Sequence, residues 1–172
     1  MYELNSFFQD LNIDRNLVTD FFIVFSRFEY ALKKTKYIKA DRSGNAEPNW
    51  NSFIKDNKAH FESIEKSEEL QRAIDYLKKY PPKKQVYKKI SDGDETQKFF
   101  LADITPEKQE MKYLFTIIKV VRNNLFHGGK YPFSSLKEPA RNTDLLRNSL
   151  IVLEVWLKLN KEVKILFFNR LN

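Results

Sequence analysis

Residues 105–130 read TPEKQEMKYLFTIIKVVRNNLFHGGK. Met111, Leu114, Phe115, Ile118, Val121 and Leu125 recur at three- and four-residue steps, which places them on one broad face of a helix. Thr105-Pro106-Glu107 has the form of a helix start: a capping hydroxyl, a proline whose fixed φ suits the first turn, and an acid at the positive end of the dipole. Gly128-Gly129 supplies a stop just past His127, because glycine takes the left-handed conformation that ends helices. A long amphipathic helix over this stretch asks for other helices to cover its apolar face.

The rest of the chain supplies them. Phe21, Val24, Phe25, Phe28 and Leu32 form one stripe on a helix expected over Asp20–Lys39, followed by a polar loop at Asp41–Asn45. Asn49 reads as the cap of a second helix carrying Trp50, Phe53, Ile54 and Phe61. Ser67 caps a third, with Glu68 and Glu69 in its first turn, an apolar face of Leu70, Ala73, Ile74 and Leu77, and a stop before Pro81-Pro82. Thr143-Asp144 is read as opening the last long helix, to about Leu159, after a loop containing Pro132 and Pro139. Val163–Phe168 follows as a short helical tail. Residues 83–104 are the least helical: Gln85–Ile90 and Lys98–Ile104 either pair as a short hairpin or form an irregular loop packed by Tyr87, Phe99 and Phe100. The expected fold is all-α, one helical domain over residues 1–172 with an irregular or hairpin insertion near 81–106.

Composition narrows the function classes. There is no cysteine, which removes disulfides, thiolate metal sites and thiol nucleophiles. Two histidines, His60 and His127, argue against a His-rich zinc site, and Asp92-Gly93-Asp94-Glu95 is too short for a calcium loop. No metal and no cofactor are therefore expected. No basic leader precedes an apolar run at the N-terminus, and no apolar stretch approaches membrane-spanning length, so a soluble cytoplasmic protein is expected. The net charge of +7 permits a polyanionic partner, although lysine-rich surfaces often serve solubility alone.

Arg122 and His127 stand out at the end of the central helix. Imidazole titrates near neutrality and can take the proton of a ribose 2′-hydroxyl or protonate a leaving 5′-oxygen. The guanidinium stays charged and presents a planar fork to phosphate oxygens. That pair suits phosphodiester transesterification, in which the substrate carries its own nucleophile and no metal is required. Asn123 lies four residues before His127 on the same face and can orient the imidazole or a phosphate. Five residues separate arginine from histidine, about 140° on an ideal helix, so convergence needs an unwound last turn or a second copy of the chain. With eight arginines and two histidines, chance supplies about 0.3 pairs at comparable spacing, so spacing alone carries little weight.

The stretch Val121–Lys130 resembles the R-x(4–6)-H motif of the HEPN superfamily, with its polar residue after the arginine. Phe25-Ser26-Arg27-Phe28-Glu29-Tyr30-Ala31-Leu32-Lys33 is similar to the first helix of bacterial HEPN-like proteins, and the resemblance extends over roughly residues 18–160. It implies a helical bundle that forms a homodimer, joining two motifs in one composite cleft that cuts RNA without metal. Toxin–antitoxin pairs and abortive-infection or antiviral defence are the implied settings, with an antitoxin protein as a further partner. Carried over, Arg122 and His127 are catalytic and Asn123 is supporting. Glu29 is an acidic neighbour able to pair with Arg122 or orient His127, and Lys130 and Arg27 are candidate RNA-phosphate contacts. His60 matches no catalytic position. The alternatives are a non-catalytic module that binds nucleotide or RNA as an accessory subunit, and a structural protein whose basic surface meets an acidic partner.

Overall fold

A computed structural model describes residues 14–88, 98–126 and 139–169. In it, helices α1 (Arg15–Lys33), α2 (Trp50–Ser63), α3 (Glu68–Lys79), α4 (Glu110–Phe126), α5 (Pro139–Leu159) and α6 (Lys161–Phe168) are joined by two antiparallel hairpins. The first pairs β1 (Ile38–Ala40) with β2 (Ala46–Pro48), and the second pairs β3 (Lys84–Lys88) with β4 (Lys98–Ala102). The fold is mostly helical. α1 packs on α5 and α6, α3 on α5, and α2 on α4 and α5. All six helices contribute to one buried cluster that includes Phe21, Phe28, Phe53, Phe61, Leu114, Ile118, Leu153, Trp156 and Val163.

The first helix is displaced from its expected bounds of Asp20–Lys39. Asp14 caps it, its carboxylate accepting the Leu17 amide hydrogen at 3.1 Å, and Leu17 and Val18 already pack on the core. It ends at Lys33 because the Thr35 hydroxyl donates back to the Leu32 carbonyl (2.8 Å) and the chain turns to bury Tyr37. The Tyr37 ring meets Phe53 edge-on at 5.3 Å, and its hydroxyl joins Asp56 with Asn160, which caps α6. The stripe periodicity does not foresee the β1–β2 hairpin that follows. Asp41 Oδ1 gathers the amide hydrogens of Ser43 and Asn45 (both 2.8 Å), and Gly44 turns the loop at φ +83°.

Asn49 and Ser67 cap α2 and α3 as expected, accepting from the Ser52 and Leu70 amides at 3.1 and 3.2 Å. Of the two options for residues 83–104, the hairpin is present, with Val86 opposite Phe100. Two further helix starts are corrected. α4 begins at Glu110, not at Thr105-Pro106-Glu107, because Gln109 Oε1 takes the Lys112 amide hydrogen at 2.7 Å. Glu107 instead reaches forward along α4 to the Lys112 ammonium (2.5 Å) and the Thr116 hydroxyl (3.0 Å). α5 begins at Pro139, four residues before Thr143, with proline at a first-turn position where its missing N–H costs nothing. Among the described residues no helix is long and apolar enough to cross a membrane.

Candidate functional site

α1 and α4 each turn a row of side chains toward one recess of about 450 Å³. From α1 come Phe25, Glu29 and Lys33, four residues apart and therefore stacked on one face. Phe115, Lys119, Arg122 and Asn123 come from α4, again at three- and four-residue steps. The β1–β2 hairpin closes one wall with Lys39, Ala46, Glu47 and Pro48. The first turn of α2, with Asn49, Trp50 and Asn51, completes the lining, so the positive end of that helix dipole opens into the cleft.

An aromatic stack forms the floor. Trp50 lies parallel to Phe115, 4.9 Å between centroids at 29°, and also contacts Phe25 (5.6 Å) and Phe28 (4.9 Å). Its indole N–H donates to Glu29 Oε1 across 3.4 Å, a long bond that still turns the carboxylate toward the floor. Arg122 sits above, half-buried, with its guanidinium carbon 5.9 Å from the Phe25 centroid and 5.6 Å from that of Phe126. Its Nη1 donates to Asn123 Oδ1 at 3.2 Å. Two ring faces and one amide thus hold the fork in place, while the remaining guanidinium nitrogens make no hydrogen bond to another described residue.

Among the described residues, four cations, Lys33, Lys39, Lys119 and Arg122, line the cleft against two acids, Glu29 and Glu47. Lys39 and Glu47 face each other at 3.1 Å on half-exposed strands. Among the described residues, Lys33, Lys119 and Arg122 have no ion-pair partner. Like charges held close in a concave site raise its affinity for an anion, since the anion relieves their mutual repulsion.

The structure brings together Arg122, Asn123 and Glu29 of the sequence-derived candidates. Glu29 bonds to Trp50, and no ion pair joins it to Arg122. Arg27 lies elsewhere. Its Nε donates to the Phe167 carbonyl at 2.8 Å and its Nη2 to the Leu166 and Asn169 carbonyls, so it caps the C-terminus of α6. His127 and Lys130 fall outside the described residues. His60 is exposed on α2 and does not line the cleft.

Sequence reasoning missed Lys33, Lys39 and Lys119 as site residues. Lys119 precedes Asn123 by four, and Lys33 follows Glu29 by four, so helical spacing from the chosen candidates reaches both. Lys39 carries no such signal, because its place depends on the hairpin. Comparison with protein-family models, curated proteins and solved structures found no match.

Proposed function

We propose that the chain is a metal-independent RNA endonuclease of the HEPN kind, working as a cytoplasmic homodimer in a toxin–antitoxin or phage-defence setting. The observation that carries this reading is the placement of Arg122. It lies one turn before the end of α4, in a cationic cleft, oriented by Phe25, Phe126 and Asn123, with His127 next in the chain after Phe126. In the proposed reaction the 2′-oxygen bonds to phosphorus and the bond to the 5′-oxygen breaks. The imidazole of His127 moves the proton, and Arg122 balances charge on the phosphoryl oxygens. Products are a 2′,3′-cyclic phosphate and a 5′-hydroxyl.

The dimer reading draws support from the same helix end. Phe22 is 50% exposed, Ile23 54% and Phe126 40%, and the Phe22 and Phe126 rings meet at 5.3 Å. This apolar strip adjoins Arg122 through Phe126, so a second copy seated on it would bring a second motif to the cleft.

The test is cleavage of single-stranded RNA by purified protein in excess chelator, with end-group analysis. Chelator-resistant cutting that leaves cyclic phosphate is expected. Cutting that stops with chelator, or leaves 3′-hydroxyl ends, would falsify the reading. Tight RNA binding without cleavage over a broad substrate panel would favour the non-catalytic module, which the cationic, Trp50-floored cleft also suits.

A further inference from the structure

A second recess, of about 630 Å³, lies where α3 runs into β3. It flanks the same end of α4 as the cleft. Arg122 and Asn124 are two residues apart, about 200° around the helix. Arg122 therefore lines the cleft while the Asn124 amide donates to the Lys83 carbonyl at 2.8 Å, on the recess side.

The recess pairs aromatic faces with cations. Tyr76 and Tyr80, four apart at the end of α3, contact at 5.1 Å, and Tyr80 is 42% exposed. Lys79 Nζ stands 5.2 Å from the Tyr80 ring centroid, and Lys83 and Arg141 complete the basic lining. Arg141 Nη2 fixes the rim by donating to the Pro81 carbonyl at 3.0 Å. Among the described residues, Asp103 is the one acid of the lining. It meets Lys83 at 3.7 Å with both side chains largely exposed, a screened pair that a phosphate can replace at little cost. Within the lining, burial and the Asp144 carboxylate push the Tyr76 phenol up to about 12, so it stays a neutral donor to Asp144.

We propose that this recess is a subsite for single-stranded RNA, in which an unpaired base stacks on Tyr80 and the flanking phosphates meet Lys79 and Lys83. The inference rests on the RNA reading of the cleft and deepens it: the substrate is a single strand that passes the end of α4 from cleft to recess. Stacking requires a base face that a duplex does not offer, and ring-plus-amine contact reads no base edge, so binding here tolerates sequence.

The test uses the full chain carrying His127→Ala, so that bound RNA is not cut, and reads the anisotropy of a labelled single strand of about 12 nucleotides. Adding Tyr80→Ala and Lys83→Ala should weaken binding roughly ten-fold or more and reduce the salt slope by about 0.7. Tyr80→Phe, which keeps the ring, should retain affinity. Circular dichroism of each variant confirms the helical fold. Affinity unchanged by Tyr80→Ala with Lys83→Ala overturns the subsite, even if the unmutated chain cuts RNA. Binding without cutting by the unmutated chain, lost in the recess variant, overturns the nuclease reading and upholds the subsite. Absence of any RNA binding overturns both.

Discussion

The guanidinium of Arg27 is held by three carbonyls at the end of α6, whereas that of Arg122, among the described residues, makes one hydrogen bond, to its neighbour Asn123, and otherwise lies over two rings. Both residues read as RNA-facing arginines in the sequence, and both lie on amphipathic helices. What separates them is a contact 140 positions along the chain, which no local pattern encodes. Removing Arg27 leaves part-buried carbonyls unpaired, so Arg27→Met should lower unfolding free energy by about 1.5–3 kcal/mol. It should leave RNA affinity unchanged. Urea denaturation and a binding titration check the two halves, and a stable variant with weakened RNA binding would return Arg27 to the site. Asn49 and Ser67 were legible as caps because each acts on an amide three residues along the chain, whereas the Trp50 partner of Glu29 lies 21 residues away and was not.

At the scale of elements, the helices are written in their stripes and the β1–β2 hairpin is not, whereas the β3–β4 pairing is one of the two readings of residues 83–104. β1 and β2 are three residues each and mostly exposed, so they show no alternation to detect. Their turn depends on Asp41 and on Gly44 at positive φ, where an added side chain meets no neighbour and the strain is purely backbone. Gly44→Ala should therefore cost about 1–2 kcal/mol in thermal denaturation. Because the hairpin carries Lys39 into the cleft, RNA affinity should fall with it. No change in either would separate the hairpin from the site. The start of α4 makes a pH prediction. The Lys112 ammonium, and then the Thr116 hydroxyl, hold the Glu107 carboxyl below its usual 4.5. A depressed folded value contributes stability above the unfolded one and loses it as pH falls through the folded value. Melting temperature should drop on acidification between about pH 5 and 3, and less steeply in Glu107→Gln. Identical slopes would remove Glu107 from the acid response.

For the whole molecule, the expectation of an all-α bundle with an irregular or hairpin insertion near 81–106 met a mostly helical structure with two small hairpins. The exposed strip Phe22, Ile23 and Phe126, on which the proposed dimer would seat, was not legible in the sequence, since it lies within otherwise ordinary amphipathic helices. Its exposure is visible only once α1 and α4 are packed. Phe22→Glu at this strip should shift the protein from dimer to monomer in light scattering and abolish RNA cutting while preserving the fold. An active monomer would contradict the composite cleft.

The central claim, that Arg122 and His127 do chemistry together, is tested most directly by chelator-resistant RNA cleavage rates of Arg122→Ala and His127→Ala beside the unmutated chain. Each substitution is expected to slow cutting by about 100-fold or more, with RNA binding largely kept in His127→Ala. Undiminished cleavage in both variants would contradict the account.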